Sequence, residues 1–421
     1  MFLRKFYPLF LILFLVFAGV AVQYIPSQPT DTHIKNACEI FNQEKMYPWY
    51  YKSILDNYTD AVMLLISSSQ PDKPGIKRFL ASPFYSISQE KHIKERAYPF
   101  PSLCRNKINN RVIYPRYWHG YQIILRPLLY FIDYQNIRLI NKFLQPFLFL
   151  LLLYFCLKNK AYGLILGFVV SYIAINPLAV PLCMAYSIIY YITTIFSIFL
   201  LAFKKQIEQH IGWPIFFMMI GICTGFFDFF TYPLVALGVP LTILFYVAPA
   251  ENGKTMIKNL LLIGLCWILG YAGMWALKWV LGTLILDENV LKDAIESVNS
   301  RVESTNHGNN FPMYMPIKNT IKFLFMRREV VISIVCAVLI SVATILWKVK
   351  KAFEIIKEKY FQILPFFIIS TGPIVYSLIV RGHTLQHAPF TYRIWIVAIF
   401  AIISGLNFWA ILLYKVKKSE K

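Results

Sequence analysis

Three aspartates stand where a carboxylate could act as a general base. Asp56 and Asp60 lie in the polar segment 25–120, just before a short apolar run, and Asp228 lies among aromatic residues. A carboxylate at a membrane surface could take the proton of an acceptor hydroxyl. Asp60 could instead simply favour a helix N-terminus, where negative charge is stabilising. Asp56 is therefore the preferred base, because helix formation does not explain it.

Asp228 is the most isolated acid in the chain, with two phenylalanines on each side. Such apolar surroundings raise the pKa of a carboxyl group or demand a charged partner. Asp228 could form a structural salt bridge with a lysine or arginine. It could equally bind an acceptor or tune the catalytic base, and the sequence leaves these alternatives open.

A short loop between two apolar runs carries four side chains that could bind phosphate: Arg381, His383, His387 and Arg393. Arginine makes paired hydrogen bonds to phosphate oxygens, and histidine adds a donor or a charge. The alternative is anchoring, in which the arginines extend to lipid headgroups. The two histidines could share a zinc ion on a helix, but Pro389 and the lack of a third nearby ligand argue against it. We expect no metal and no cofactor.

Arg116 and His119 lie where segment 25–120 returns to the apolar part of the chain, next to Trp118 and Tyr121. An aromatic belt with a basic anchor is one explanation for this pattern. In the alternative, the two aromatic rings stack on a ligand while Arg116 or His119 binds a phosphate.

The composition is that of a membrane protein. Hydrophobic residues make up 57% of the 421 residues and charged residues only 15%, whereas about a quarter of a soluble domain is charged. The net charge of +21 comes from basic tracts between apolar runs, where lysine and arginine orient helices, so we expect no nucleic-acid partner. The motifs of nucleotide, zinc-protease and serine-hydrolase chemistry are absent from the sequence.

Ten apolar runs approach the length of about 20 residues that a spanning helix needs. The first is predicted to be an uncleaved anchor rather than a signal peptide, because it is long and lacks a clear cleavage site. The runs are 6–24, 137–157, 161–178, 182–203, 213–230, 233–247, 260–285, 330–347, 361–380 and 394–414. The expected fold is an all-α, polytopic membrane protein.

Five basic tracts fall on the same side of the membrane as Arg4 and Lys5 in this arrangement. They lie at 158–160, 204–205, 254–258, 348–359 and 415–421. Because lysine and arginine concentrate in short cytoplasmic loops, both termini are predicted to be cytoplasmic. Segments 25–120 and 286–328 are then extracytoplasmic.

The chain therefore divides into five parts: an anchor (1–24), a first external segment (25–120), transmembrane helices (121–285), a second external loop (286–328) and C-terminal transmembrane helices with a basic tail (329–421). Three short helices are predicted. The first is at 58–69 with Thr59 as its N-cap, the second is an interfacial or re-entrant helix at 121–132, and the third is an amphipathic helix at 288–303. Cys38 and Cys104 could form a disulfide if their segment is external.

The external acids after an N-terminal anchor, the short helix that follows them and the many spans together resemble the GT-C superfamily of glycosyltransferases that use polyprenyl-phosphate sugars. The segment 224–241, with Phe227-Asp228-Phe229-Phe230-Thr231-Tyr232-Pro233, also looks like uncharacterised bacterial membrane proteins of surface-polysaccharide type. GT-C enzymes carry a catalytic Asp or Glu in the first external loop. Asp56 matches that position, or Asp60 in another register, although Asn57 stands where several families have a second acid.

The resemblance implies a sugar donor on a polyprenyl phosphate and a glycan or lipid acceptor at the extracytoplasmic face of the cell membrane. Asp56 would take the acceptor proton, while Arg381, Arg393 or His383 would stabilise the leaving phosphate. Direct displacement would invert the anomeric centre. Two alternatives remain: a polymerase or ligase of lipid-linked glycans, and a transporter or flippase without covalent chemistry, although transporters often show internal repeats and midplane binding groups.

Overall fold

The computed structural model describes residues 3–68, 72–86, 110–303, 305–306, 309–347 and 349–419. These residues are nearly all helical, with three two-stranded antiparallel hairpins, which confirms the predicted all-α class. The hairpins pair β1 (Trp49–Tyr50) with β2 (Ser53–Ile54), β3 (Phe84–Ser86) with β4 (Asn110–Val112), and β5 (Thr305–Asn306) with β6 (Asn309–Asn310).

The α-helices are numbered in chain order. The first ten are α1 (Tyr7–Ala21), α2 (Gln28–Glu44), α3 (Asn57–Ser68), α4 (Ile76–Ala81), α5 (Gln122–Phe131), α6 (Tyr134–Lys158), α7 (Gly163–Ile175), α8 (Met184–Ala202), α9 (Lys204–Gln206) and α10 (Trp213–Phe227). The others are α11 (Leu234–Val247), α12 (Gly253–Ile285), α13 (Val290–Val302), α14 (Met315–Phe325), α15 (Arg328–Leu346), α16 (Val349–Ser370), α17 (Gly372–Ile379), α18 (Arg381–Gln386), α19 (Ala388–Thr391) and α20 (Ile396–Ser419).

Within the described part of the chain, seven helical stretches are long and apolar enough to cross a membrane. They are Tyr7–Tyr24, Tyr134–Lys158, Met184–Ala202, Gly253–Ile285, Arg328–Leu346, Phe353–Ile379 and Ala388–Leu413. An eighth is obtained if Lys204–Ile211 and Trp213–Phe227, which meet at a bend of 100°, form one span. The chain therefore has the helices of a multi-pass membrane protein.

Each of the ten predicted runs is helical over most of its length, but three of the helices are short for a span. α7, α10 and α11 have 13, 15 and 14 residues, whereas a spanning helix needs about 20. Asn176 ends α7 in a left-handed conformation, and Asp228 ends α10 in an extended one. Both stops bring polar residues to the same end of the bundle, which we call the outer end, following the predicted topology.

The first external segment packs its own helix into the protein. α3 confirms the predicted helix at 58–69, but its side chains are buried along almost the whole length rather than exposed at an interface. It contacts α2, α5 and α8. Cys38 on α2 is disulfide-bonded; Cys104, its predicted partner, lies outside the described residues.

The other two short helices also form where predicted, as α5 and α13. α13 buries Val290, Ala294 and Ser297 on one face, as an amphipathic helix should. The basic end of the second external loop also has a structural explanation. Arg327 is buried and donates to the carbonyl oxygens of Ile173 and Ala174 at the end of α7, where positive charge is favourable.

Candidate functional site

Asp56 forms the N-cap of α3, so helix formation does explain this residue. Its carboxylate accepts hydrogen bonds from the Thr59 backbone N–H at 3.0 Å and from the Thr59 hydroxyl at 2.6 Å. The predicted N-cap, Thr59, is instead the third residue of the helix. Burial raises the pKa of Asp56 to about 6, although the two bonds from Thr59 act to lower it.

Asp60 is wholly buried and its carboxylate is saturated with donors. It accepts hydrogen bonds from the Tyr134 hydroxyl at 2.7 Å and from the backbone N–H groups of Met184 and Ala185 at 2.9 and 3.1 Å. Those two N–H groups are the first of α8, so the carboxylate caps that helix from a distant segment. Because these donors come from α6 and α8, this geometry gives Asp60 a structural role that joins three segments of the chain.

Asp228 repeats the local arrangement of Asp56. It accepts from the Thr231 backbone N–H at 3.0 Å and from the Thr231 hydroxyl at 2.5 Å, and it is 2% exposed. Among the described residues it has no ion pair, so the salt-bridge alternative fails there. Burial raises the pKa of Asp228 to about 7, against the hydrogen bonds from the Thr231 hydroxyl and from the backbone N–H groups of Thr231, Phe230 and Phe229, which act to lower it. The carboxylate also lies close enough to the phenols of Tyr271 and Tyr376 to interact with them electrostatically.

Phe230 holds the surroundings of Asp228 together. Its ring lies 4.5 Å from that of His383, 5.4 Å from that of Trp275 and 6.0 Å from that of Tyr376, and the guanidinium of Arg301 is 5.9 Å away. The backbone of Phe230 has φ +69°, a left-handed conformation that is costly for a bulky residue and is concentrated at functional sites.

Two glycines allow distant segments to meet here. Gly120 donates its N–H to the Phe226 carbonyl at 3.1 Å, and a Cβ at this position would lie 2.6 Å from that oxygen. Gly382 brings α18 against the end of α13, where a Cβ would lie 2.6 Å from the Ser300 carbonyl oxygen. These contacts hold the first external segment beside Asp228 and place His383 near Arg301.

Several polar atoms around Asp228 and Phe230 are buried without a hydrogen-bond partner among the described residues. They are Tyr271 Oη, Trp275 Nε1, Tyr376 Oη, His383 Nε2 and Arg301 Nε, and Arg381 Nε, two residues from His383 on α18, also lacks one. We call Asp228 and the residues that carry these atoms the Asp228 cluster. Because leaving a buried polar group unsatisfied costs about 1–3 kcal/mol and native cores have few such groups, this concentration makes the Asp228 cluster the candidate site.

Arg301 and Arg381 supply the positive charge of the Asp228 cluster. Arg301 donates one terminal nitrogen to the Tyr117 hydroxyl at 2.7 Å and the other to Ser297. His383 is different: burial, followed by the charges of His387 and Arg301, holds its pKa well below the ordinary value. It is therefore neutral at pH 7 and can offer a hydrogen bond rather than a charge. His387 lies 4.7 Å from the His383 ring.

Arg393 is fully buried but already engaged. Its guanidinium lies 4.0 Å from the centre of the Tyr186 ring, and donates to Ser53 Oγ at 3.0 Å and to the Phe390 and Ile175 carbonyl oxygens at 3.2 and 3.4 Å. All these acceptors are neutral, so the described part of the chain supplies no carboxylate to Arg393. The carboxyl end of α7, which also receives Arg327, offsets part of the charge.

Arg116 and His119 have partners within the protein. Arg116 makes a two-point ion pair with Asp293, with both bonds at 3.0 Å, which ties the first external segment to α13. His119 contacts the Tyr114 carbonyl oxygen at 2.8 Å and the Tyr121 hydroxyl at 3.2 Å. Burial, together with the charge of Lys278, lowers the pKa of His119 to about 3. His119 is therefore neutral and offers a phosphate no charge.

Sequence reasoning did not single out Tyr271, Trp275 and Tyr376, because they lie inside apolar runs. One signal was available: Trp267, Tyr271, Trp275 and Trp279 recur every four residues, which places four large aromatic rings on one face of α12. Successive rings are 5.0, 5.2 and 5.8 Å apart. Aromatic residues at this spacing usually pack in a hydrophobic core, so the pattern by itself does not indicate a binding site.

The chain matches no protein-family model, no curated protein and no solved structure. The site must therefore be interpreted from its own chemistry. Among the residues that the structure describes, no group of three or more His, Cys, Asp or Glu side chains could hold a metal ion.

Proposed function

We propose that this protein is an integral membrane glycosyltransferase of GT-C type. It transfers a sugar from a polyprenyl phosphate to an envelope glycan or lipid acceptor at the extracytoplasmic face of the cell membrane. Asp228 is the general base, in place of the Asp56 that the first-loop resemblance favours. Arg301 and Arg381 hold the phosphate of the donor.

The observation that carries the proposal is a buried carboxyl of near-neutral pKa in a region where two arginines, Arg301 beside Phe230 and Arg381 on α18, have Nε atoms without a partner among the described residues. A catalytic base is most effective when its pKa lies near the working pH. Phosphate is the anion that arginine recognises best through two parallel hydrogen bonds. In the predicted topology both groups lie at the extracytoplasmic end of the bundle, where a lipid-borne donor and a polar acceptor can meet.

The proposed reaction is a direct displacement at the anomeric carbon. The acceptor oxygen forms a bond to that carbon as its proton passes to the Asp228 carboxylate. The bond from the anomeric carbon to the phosphate oxygen breaks, and its electron pair leaves with the polyprenyl phosphate. Arg301 and Arg381 stabilise the charge that develops there. The anomeric configuration is inverted.

A ligase or polymerase of lipid-linked glycans is the second candidate, and the same arginines favour it. Such an enzyme would bind an oligosaccharide on a polyprenyl pyrophosphate and would need the cations more than the base. The two functions differ in the donor that is consumed, and in whether removal of Asp228 abolishes transfer.

The test is transfer by the purified full-length protein from a panel of radiolabelled polyprenyl-phosphate monosaccharides and one polyprenyl-pyrophosphate oligosaccharide. Wild type is compared with Asp228→Asn and with Asp56→Asn, a matched control because asparagine also caps helices well. Loss of the base should lower kcat by about 10²–10⁴-fold in Asp228→Asn, and by far less in Asp56→Asn.

The converse result, loss of activity only in Asp56→Asn, would return the base to the first external segment. Transfer only from the oligosaccharide donor would establish the ligase. No transfer from any donor, by protein that is folded in detergent, would reject both enzymes in favour of a transporter.

A further inference from the structure

We infer that Tyr271, Trp275, Tyr376 and His383 form the subsite for the transferred sugar, and that this sugar is uncharged. The inference rests on the proposed function and narrows it to a donor class. It concerns side chains on α12, α17 and α18 that the transfer scheme does not otherwise use.

The four side chains offer hydrogen-bonding atoms of both kinds that have no partner within the described protein. Tyr271 Oη, Tyr376 Oη and Trp275 Nε1 can donate. His383 is neutral, and one ring nitrogen already bonds the backbone of Phe230, so its free Nε2 can accept. Sugar hydroxyls are both donors and acceptors, so a mixed set of uncharged groups suits them better than it suits an anion.

The same region is rich in aromatic rings. The ring centroids of Phe230 and Trp275 are 5.4 Å apart, and that of Tyr271 lies 5.2 Å from that of Trp275. A sugar ring has an apolar face of C–H groups that can lie against such rings while its edge hydroxyls reach the polar atoms. An aromatic floor with a few convergent polar groups is what a pyranose requires.

The charged group that matters most for this subsite is Asp228. Its charge acts on the phenols of Tyr271 and Tyr376 more strongly than that of Arg301 does. A uronic acid would bring a second carboxylate beside Asp228 in a buried setting, and a free amino sugar would pair with the base and occupy it. Neutral sugars, including N-acetylated ones, meet neither obstacle.

The test measures equilibrium binding to the purified protein of polyprenyl phosphate and of the same lipid carrying glucose, galactose, N-acetylglucosamine or glucuronic acid. Wild type is compared with Tyr271→Phe, Tyr376→Phe and the control Tyr154→Phe, whose side chain is exposed on α6. Each site variant should bind a neutral glycosylated lipid about three- to tenfold more weakly, as expected for one neutral hydrogen bond. Its affinity for bare polyprenyl phosphate should not change.

Neither Tyr271→Phe nor Tyr376→Phe is expected to destabilise the fold. Each removes a buried hydroxyl that has no partner among the described residues, so the unliganded protein should be as stable as wild type or more so. A loss of affinity in a variant with an unchanged melting temperature therefore reports a lost contact with the ligand.

Equal losses for the bare and the glycosylated lipid would overturn the inference, because the phenols would then serve the phosphate or the chain. Unchanged affinity in both variants, or preferred binding of the glucuronic acid lipid, would also overturn it. Binding of neutral donors with the expected losses but without transfer would reject the transferase and leave the subsite standing. Failure of wild type to bind any glycosylated lipid would reject both.

Discussion

Asp56 and Asp228 build the same local structure in two different regions. Each is followed three residues later by a threonine that donates its backbone N–H and its hydroxyl to the carboxylate, at 3.0 and 2.6 Å for Thr59 and at 3.0 and 2.5 Å for Thr231. Both carboxyl groups are buried, and burial raises both pKa values. Judged by these turns alone, the two aspartates would be equivalent.

The surroundings of the two turns differ in how completely they are satisfied. Around Asp56, the buried acid Asp60 meets a full set of donors, and α3 serves to join the first external segment to α8, although Ser67 Oγ and Arg138 Nε have no partner among the described residues. Around Asp228, hydroxyl, indole, imidazole and guanidinium atoms are buried without partners in the described part of the chain. The comparison teaches that the more completely satisfied network stabilises the fold, whereas the less satisfied one is the region that we propose binds a ligand.

The largest expected effect is on thermal stability, and it should come from replacing Asp60, the acceptor in the satisfied network. In Asp60→Ala the Tyr134 hydroxyl and the Met184 and Ala185 N–H groups lose their acceptor, and two or more stranded donors cost about 3 kcal/mol or more. Thermal unfolding in detergent should show a markedly lower midpoint. Asp72→Ala is the control: its ion pair with Arg111 is partly exposed, and such pairs contribute about 0–1 kcal/mol. Equal midpoints for the two variants would contradict a structural role for Asp60.

A smaller effect, on activity alone, should follow from disturbing the approach of α18 to α13. In Gly382→Ala the added Cβ would lie 2.6 Å from the Ser300 carbonyl oxygen, so the helices must separate and carry His383 and Arg301 apart. Displacements of about 1 Å can cost about 10²-fold in rate. The control is Gly273→Ala on α12, where a Cβ meets nothing within 4 Å. Full activity in Gly382→Ala would show that this contact does not position the site.

The smallest effect concerns pH. A base must be deprotonated to act, so kcat should rise with pH until it levels off above about 7, the pKa of Asp228, and should fall about tenfold per unit below it. In Thr231→Val the Asp228 carboxylate loses one stabilising hydrogen bond of about 1.5 kcal/mol. The pKa of Asp228, and with it the rising part of the pH–rate profile, should therefore move upward by about one pH unit.

Thr59→Val is the matched control for that shift, because it removes the corresponding hydroxyl from Asp56. Its pH profile should keep the wild-type midpoint. If Thr59→Val shifts the rising part of the pH–rate profile and Thr231→Val does not, the base is Asp56. The catalytic region is then the one around Asp56, not the one around Asp228.

Much of the fold follows from hydropathy. The ten apolar runs are all helices, and the short helices α3, α5 and α13 form where predicted. The errors are local. The predicted ends of α7 and α10 lie beyond the observed ends, because each apolar run continues past the polar residue at which the helix stops. Thr59 was taken as an N-cap because the competing acceptor, Asp56, stood one turn earlier.

Less of the candidate site was predictable. Asp228, Arg381 and His383 were recognised as unusual polar residues near a membrane surface, but their meeting with Tyr271, Trp275 and Tyr376 was not. Those three residues read as ordinary core, since aromatic residues are common in spanning helices. His119 and His383 were expected to help bind a phosphate, yet burial keeps both neutral.

The difference between what the sequence predicts and what only the folded structure determines has a physical cause. Helix length, helix capping and the charge of short loops depend on residues within a few turns of one another, so the amino-acid sequence alone decides them. The Asp228 cluster depends on contacts between segments far apart in the chain, such as Gly120 with Phe226 and Gly382 with Ser300. Such contacts arise from how closely helices pack, and only the folded structure decides which polar atoms are satisfied and which are left for a ligand.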